Sequence, residues 1–364
     1  MKIPIYQPSL SGNEKQYVND CLDSNWISSR GKYVEKFEKK FAEYNEINYA
    51  TTVSNGTVAL HLALVALGIG VNDEVLVPSL TYIASVNSIT YTGAKPIFVD
   101  SEVAHWQIDP DDIRRKINSK TKAIMVVHLY GHPCNMDAIM DIAKEYDLFV
   151  IEDCAEAFGS KYKDKYVGTF GHISTFSFFG NKTITTGEGG MVVTNDQALH
   201  QKCLHFKGQG LAKDRQYWHD VIGYNYRMTN ICSAIGLAQL EQADEFIAKK
   251  RQIAEWYKEG IGDLPLTMHK QADYCFHTYW IVNILLDDGH QREPLRQFLT
   301  SSGIETRPMF YPVHTMPIYS EGSKSLNVAE QLSWRGISLP SWPGLSKADV
   351  LYVCDTVRNF FNGR

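Results

Sequence analysis

The sequence contains none of the cysteine patterns that mark a disulfide-rich or metal-binding protein. Its seven cysteines form no Cys-x-x-Cys pair and no cluster with histidine. An odd number of cysteines spread over 364 residues also argues against a disulfide framework. We therefore expect small buried thiols, and we predict no metal site.

Long apolar runs and an excess of one charge are also missing. No run reaches the roughly 18 apolar residues that a membrane helix needs, and Met1–Gln7 contains no apolar core of a signal peptide. Basic residues are scattered among acidic ones and the net charge is −5, so nothing supports nucleic-acid binding. We expect a cytoplasmic protein that acts on small molecules and binds neither membranes nor nucleic acids.

The chain does contain short apolar segments that alternate with amphipathic ones between residues 49 and 153. Segments such as Tyr49–Val53 and Ala123–Val127 are typical of strands, and the alternation predicts βαβ units around a mainly parallel sheet. Helical patterns continue through residues 229–260. A strand over His277–Leu286 and a last helix that begins after Ser346 follow. The sequence predicts an α/β protein with a large domain over residues 1–250 and a smaller α+β domain over 251–364.

Lys182 lies in a segment, residues 178–190, that is rich in glycine and small hydroxyl residues. Glycines let a backbone approach a ligand closely, and a lysine held away from water is the group that imine formation with a carbonyl needs. This arrangement suggests pyridoxal phosphate (PLP) bound as an imine. The alternative is a solvated lysine in a flexible surface loop.

Two strand ends place polar groups where ligands bind in open α/β sheets. Asp153 ends a buried apolar segment and could keep a pyridine nitrogen protonated, although such an acid could also cap the following loop. Gly56 and Thr57 begin a helix after another strand, and a helix N-terminus is a natural phosphate seat. Ser177 could reach the same phosphate, while the alternative for this turn is an asparagine cap with a tight glycine turn.

Aromatic and basic residues elsewhere suggest further contacts. Tyr82 follows a strand end and could stack on a flat ring, but it could equally be a core tyrosine. Asn225 lies among aromatics beside Arg227, which could instead pair with an acid. Arg307 and His314 form a polar and aromatic patch that could meet a substrate between the domains, unless the histidine is a packed structural residue.

Together these motifs resemble the DegT/DnrJ/EryC1/StrS family of sugar-nucleotide aminotransferases over nearly the whole chain. The resemblance implies a PLP-dependent aminotransferase of fold type I, with a three-layer αβα large domain. It also implies a homodimer with shared active sites, which could pair into a tetramer. The matching segments are Gln7–Leu10, Trp26–Ser29, Ser54–Leu60, Glu152–Ala157 and Ser174–Asp196.

The resemblance also implies roles for individual residues. Lys182 would bind PLP covalently and carry protons, and Asp153 would hold the pyridine nitrogen. Glu156 would lie beside the cofactor, at a position where many relatives have glutamine. Tyr82 would stack on the ring, and Asn225 would reach the phosphate of the neighbouring subunit. The phosphate would be bound by Gly56, Thr57 and Ser177, and the sugar nucleotide would lie near Trp26, Ile27, Ser28, Ser29, Arg307 and His314.

The implied reaction transfers the amino group of L-glutamate to C4 of GDP-4-keto-6-deoxymannose and releases 2-oxoglutarate. The aminated GDP-sugar would serve polysaccharide biosynthesis, such as that of O-antigen. One alternative is an aminotransferase of a UDP- or dTDP-linked keto-sugar. A second is a 3-dehydratase of the same GDP-sugar, but that enzyme has histidine where this chain has Lys182. A third is a non-catalytic PLP-binding regulator, which the retained Lys182 and Asp153 disfavour.

Overall fold

A computed structural model of the chain describes residues 2–322 and 324–363. The strands are Tyr49–Val53 (β1), Glu74–Pro78 (β2), Lys95–Val99 (β3), Thr121–Val127 (β4), Phe149–Asp153 (β5), Lys161–Tyr162 (β6), Lys165–Tyr166 (β7), Ile173–Ser177 (β8), Gly190–Thr194 (β9), Leu266–Met268 (β10), Cys275–Phe276 (β11), Val282–Leu286 (β12), Arg307–Pro308 (β13) and Gly336–Leu339 (β14). The helices are Glu14–Asp23 (α1), Lys32–Tyr44 (α2), Gly56–Leu67 (α3), Ile83–Tyr91 (α4), Pro110–Lys116 (α5), Met136–Tyr146 (α6), Gln197–Lys207 (α7), Asn230–Leu240 (α8), Ala243–Ile261 (α9), Arg292–Ser301 (α10), Asn327–Arg335 (α11) and Lys347–Phe361 (α12).

A seven-stranded sheet forms the centre of the molecule, with the strand order β1-β9-β8-β5-β4-β2-β3. Six of its strands run in one direction, and β9 pairs antiparallel with both β1 and β8. The predicted α/β fold with a mainly parallel sheet is therefore confirmed. Because the parallel strands share a direction, Val53, Asp153 and Ser177 end at the same edge of the sheet.

Apolar side chains cover both faces of this sheet, which gives the predicted three layers. Val75 and Val77 of β2 pack with α3 on one side, while Leu76 between them packs with α6 on the other. Phe41 of α2 joins a third cluster with Phe176 of β8. Helix α3 is apolar around most of its circumference because it is buried between the sheet and its neighbouring helices.

A second, antiparallel sheet has the strand order β10-β12-β14-β13 and packs against α9, α10 and α12. The predicted division between residues 250 and 251 falls inside α9. Ile3, near the start of the chain, also packs among these helices and the second sheet, and its N–H donates to the carbonyl of Gly303 at 2.8 Å. Strand β11, from the C-terminal part of the chain, pairs with β6, which comes shortly after β5 of the central sheet. The domain boundary therefore stays a prediction.

The structure refines several predicted elements. The helical pattern over residues 229–260 is two helices, α8 and α9, separated at Glu241 and Gln242. The strand predicted over His277–Leu286 begins only at Val282, because Tyr279 has left-handed backbone geometry (φ 50°). The last helix begins after Ser346 with a capping box, as predicted. All seven cysteines are free thiols; Cys232 is half-buried and the other six are buried. Within the described ranges, none of the helices is long and apolar enough to cross a lipid bilayer.

Lys250 of α9 is fully buried. Its amine donates a hydrogen bond to the carbonyl of Ser341 at 3.2 Å and lies 5.2 Å from the ring centroid of Tyr6. Burial lowers the pKa of Lys250 from 10.5 to about 7. The folded protein therefore holds an amine that resists protonation over a wide pH range.

We predict that Lys250→Met changes how stability depends on pH. Between pH 10.5 and 7 the unfolded chain takes up a proton at Lys250 and the folded chain does not, so the wild type loses stability as the pH falls through this window. Methionine cannot titrate, so the unfolding free energy of the variant should rise relative to wild type by at most about 5 kcal/mol across the window. Urea unfolding at several pH values measures this difference. The exposed Lys249→Met variant is the control, and an equal pH dependence in Lys250→Met and wild type would refute the prediction.

Candidate active site

A cavity of about 580 Å³ lies at the carboxyl ends of the parallel strands. It is bounded by the ends of β5 and β8, the start of α3, the Lys182 loop and segments of the second sheet. The predicted residues that line it are Gly56, Thr57, Tyr82, Asp153, Glu156, Ser177, Lys182 and Arg307. Residues distant in the sequence thus meet in one place.

The turn from β1 to α3 forms a candidate anion seat at one end of the cavity. The side chain of Asn55 accepts the N–H of Val58 at 3.0 Å, which caps the helix and leaves the N–H groups of Gly56 and Thr57 at the cavity. A Cβ on Gly56 would lie 2.7 Å from the Cβ of Ser177. Only glycine therefore lets the helix start approach the end of β8, where the Ser177 hydroxyl adds another donor.

Asp153, at the end of β5, is 4% exposed. Its carboxylate accepts the Ser85 hydroxyl at 2.8 Å and the Ala155 N–H at 3.0 Å. Burial raises the pKa of Asp153, and the hydrogen bond from Ser85 opposes that rise. A carboxylate held in this way favours a positive charge on a ring nitrogen that lies beside it.

Glu156 is a second buried carboxyl group in the cavity. It accepts the N–H of Tyr130 at 2.7 Å, and Tyr130 presents that N–H from left-handed backbone geometry (φ 58°). Burial raises the pKa of Glu156 to about 7, while the nearby Lys182 acts in the opposite direction. At neutral pH this carboxyl group therefore holds a proton more readily than an ordinary glutamate does.

The backbone of Lys182 is fixed by two contacts. Its N–H donates to the carbonyl of Phe179 at 2.9 Å, and its carbonyl accepts the hydroxyl of Tyr6 at 2.5 Å. Burial lowers the pKa of the Lys182 amine, although Glu156 and Asp153 oppose this effect. A lysine with a lowered pKa supplies more free amine at neutral pH and is a better nucleophile.

Tyr82 and Arg307 lie on the more open side of the cavity. The side chain of Tyr82 is 58% exposed, and its ring centroid lies 5.7 Å from that of Phe310. Arg307, on β13, forms a 3.6 Å ion pair with Glu305 at the surface. An aromatic face and a guanidinium group are thus available to a ligand that enters from this side.

Other predicted contacts lie away from this cavity in the single described chain. His314 is buried; its Nδ1 is 2.6 Å from the Ser79 hydroxyl and its Nε2 is 3.0 Å from Glu330. Asn225 is exposed. Trp26, Ile27 and Ser28 are also exposed, whereas Ser29 is half-buried. Asn230 holds this segment, because its amide donates to the Trp26 carbonyl at 2.7 Å. The proposed roles of these residues stay predictions.

Several cavity residues were not identified from the sequence. They are Tyr6, Ser85, Asn181 and Trp280, and each belongs to the cavity lining. Ser85 and Trp280 lie outside any recognisable motif, so no local signal could have revealed them. Tyr6 adjoins the segment Gln7–Leu10, and Asn181 lies within the Lys182 segment, but their contacts depend on the fold.

These features fit a flat aromatic ligand that carries a phosphate and a carbonyl group. The anion seat would hold the phosphate, Asp153 would face a ring nitrogen, and Lys182 would meet the carbonyl. The fit of Gly56 against Ser177 supports this interpretation, because a larger residue at position 56 would collide with Ser177 and separate the two parts of the seat. The site is therefore suited to PLP, and the chain's own residues account for each part of the ligand.

We predict that Gly56→Ala weakens PLP binding about tenfold or more, because the added methyl group must displace Ser177. Alanine favours helices, so poor helix formation would not explain the loss. Titration of the cofactor-free protein with PLP, followed by absorbance, measures the affinity. Gly180→Ala is the matched control, since a Cβ there meets no atom within 4 Å. Equal affinities for the two variants would show that the anion seat does not bind the phosphate.

Comparison with known proteins extends this interpretation. The family model for the DegT/DnrJ/EryC1/StrS aminotransferases matches residues 8–358. The chain is 67% identical over 362 residues to a GDP-perosamine synthase of Escherichia coli O157:H7, covering 100% of this chain and 99% of that protein. It is 52% identical over 364 residues to a GDP-perosamine synthase of Vibrio cholerae, covering 99% of each.

Solved structures agree with this relationship. The aminotransferase PseC of Helicobacter pylori, which is involved in the biosynthesis of pseudoaminic acid, matches with a TM-score of 0.95 at 27% identity and covers 100% of both chains. DesV of S. venezuelae, solved with a ketimine intermediate, matches with a TM-score of 0.91 at 33% identity over 96% of this chain and 94% of that one. This chain belongs to the DegT/DnrJ/EryC1/StrS aminotransferase family.

Proposed function

We propose that the protein is a PLP-dependent aminotransferase that converts GDP-4-keto-6-deoxymannose to GDP-perosamine with L-glutamate as amino donor. The observation that carries the chemistry is the half-buried Lys182 in one cavity with Asp153, Glu156 and a candidate anion seat. The choice of sugar is supported by the names of relatives with 67% and 52% identity.

The large sheet would hold the cofactor in a single orientation. When bound, PLP supplies an electron sink that stabilises negative charge on the carbon that bears the amino group. Gly56, Thr57 and Ser177 would bind its phosphate at the helix N-terminus. Asp153, positioned by Ser85, would keep the ring nitrogen protonated, and Tyr82 would cover the ring from the open side.

Lys182 would form the covalent link to the cofactor and would later carry protons. Burial lowers its pKa, so the amine can accept a proton from one carbon and return it to another near neutral pH. Its backbone is fixed by hydrogen bonds with Tyr6 and Phe179, so the amine can move only by rotation about the side-chain bonds. Lys182 would act in this way in both halves of the reaction.

Glu156 would add a group that can hold a proton beside Lys182. Its pKa of about 7 allows it to gain or lose a proton as the charge of the lysine changes. A glutamine at this position could donate a hydrogen bond but could not titrate. The glutamate therefore gives this chain a proton acceptor that a glutamine-containing relative would lack.

The substrates would enter from the side of Tyr82 and Arg307. Arg307 presents a guanidinium group that suits a carboxylate or a phosphate, the groups carried by glutamate and by the GDP-sugar. Asn225, Trp26, Ile27 and Ser28 are exposed in the single chain, which supports a homodimer in which a second copy completes each site. We place the reaction in the cytoplasm, where nucleotide sugars for polysaccharides such as O-antigen are made.

Two of the alternatives differ from this proposal by one property each. A 3-dehydratase would have histidine in place of Lys182, so the lysine favours amination. An aminotransferase of a UDP- or dTDP-sugar would use the same chemistry and differ only in how it binds the base and sugar. Product analysis with all three nucleotides separates these possibilities.

We predict that the wild-type protein forms an aminated GDP-sugar and 2-oxoglutarate from PLP, L-glutamate and GDP-4-keto-6-deoxymannose. Mass spectrometry of the products, with parallel UDP- and dTDP-keto-sugars, measures the outcome. A 3-deoxy product would show that the protein is a dehydratase. Amination of only a UDP- or dTDP-sugar would show that the substrate is not the GDP-sugar. The absence of turnover with all three would refute the aminotransferase proposal.

We predict that Lys182→Ala abolishes this amination, with a loss of at least about a thousandfold, because no other described residue is placed to form the covalent link. PLP should still bind weakly through its phosphate and ring nitrogen. The same product assay and a PLP absorbance titration measure the two effects. Lys165→Ala, at an exposed position on β7, is the control. Full activity of Lys182→Ala would remove the lysine from the mechanism.

A further inference from the structure

The indole ring of Trp280 lies directly against the reactive lysine. The amine of Lys182 is 4.1 Å from the centroid of the Trp280 ring. We propose that Trp280 is a positioning residue that holds the Lys182 amine, in its charged form, whenever the amine is not bonded to the cofactor. This inference rests on the role proposed above for Lys182 and adds a residue that belongs to none of the cofactor-binding motifs.

Three contacts make Trp280 a rigid platform. Its ring N–H donates to the carbonyl of Asn181 at 2.8 Å, and its backbone N–H donates to the carbonyl of Tyr130 at 3.1 Å. Its ring also lies parallel to that of Tyr130, with an interplanar angle of 8° and centroids 6.3 Å apart. Trp280 is only 7% exposed, so its ring has little freedom to move away from the lysine.

The electrostatics explain why an aromatic ring is suited to this position. Burial disfavours the charged form of Lys182, and among the described residues no carboxylate forms an ion pair with its amine. Asp153 and Glu156 favour the charge only through space. The negative face of the indole supplies the close contact that stabilises the ammonium group without neutralising it.

A fixed resting place matters because the amine must leave the cofactor and return to it. A lysine side chain has four carbons and many rotamers, so a free amine could swing towards Asp153 or Glu156 and form a tight ion pair. The Trp280 ring offers a weaker contact from which the amine can depart easily. Trp280 lies just before β12, so the second sheet contributes to the position of a group carried by the first.

Labelling of Lys182 with cyanate tests the proposal, because only the neutral amine reacts. The labelling rate at Lys182 is followed by peptide mass spectrometry from pH 6 to 11, using full-length protein freed of cofactor and the same protein loaded with pyridoxamine phosphate. Trp280→Leu removes the aromatic face, so the pH midpoint of labelling should fall and the neutral fraction below that midpoint should rise about fivefold. Greater access to the reagent would raise the maximal rate and leave the midpoint unchanged.

Two further variants make the test specific. Trp280→Phe keeps a smaller aromatic ring, so its midpoint should lie between those of wild type and Trp280→Leu, and it decides the question if the leucine variant does not fold. Trp334→Leu is the matched control, because it removes another tryptophan that lies against a cation but does not line the cavity. The guanidinium carbon of Arg292 is 5.6 Å from the centroid of the Trp334 ring. Its midpoint should equal that of wild type.

An unchanged midpoint in the folded Trp280 variants would overturn the proposal, as would an equal shift in Trp334→Leu. The labelling needs no sugar substrate, so its result is independent of which keto-sugar the enzyme aminates. If no aminated sugar forms but the labelling midpoint shifts as expected in the Trp280 variants, the proposed function is wrong. The proposed role of Trp280 towards the Lys182 amine would still stand.

Discussion

The removal of three ionisable side chains from water is the constraint on which the active site depends. Asp153, Glu156 and Lys182 lie in one cavity, and burial shifts the pKa of each towards its neutral form. Each group also favours the charged form of a group of opposite sign, so their protonation states are linked. The protein must hold these groups in place against the cost of burial, and the surrounding structure consists largely of the contacts that do so.

A hydrogen-bond network under the cavity provides much of this support. Glu152, next to Asp153, is fully buried; one of its oxygens lies 3.0 Å from His128 and accepts the N–H of Gly168, while the other accepts the N–H of Gly171. Satisfied carboxylates of this kind resist rearrangement because each broken contact would leave a buried polar group without a partner. The network fixes the end of β5, and with it the position of Asp153.

The part of the site that the sequence predicted is the part that depends on local rules. Asp153 and Ser177 are the last residues of their strands, and Gly56 begins the helix that follows β1. A mainly parallel sheet brings such strand ends to one edge. Trp280 could not be predicted, because its contact with Lys182 depends on how the loop before β12 packs against the first sheet. That loop contains left-handed Tyr279, and the sequence pattern there favoured a continuous strand. His314 shows the opposite case. Its sequence context suggested a substrate contact, but in the single chain its ring interacts with Ser79 and Glu330.

The same distinction separates chemistry from substrate choice. The groups that would act on the cofactor come from the first sheet and the loops that follow its strands, and they are specified by short motifs. The groups on the open side, Tyr82 and Arg307, come from two different sheets and leave one side of the cavity uncovered. A sugar nucleotide is much larger than the cofactor, and Trp26, Ile27 and Ser28, which we propose as substrate contacts, are exposed in a single chain. In the proposed homodimer, substrate choice would therefore depend on both subunits, whereas the lowered pKa of Lys182 arises within one chain.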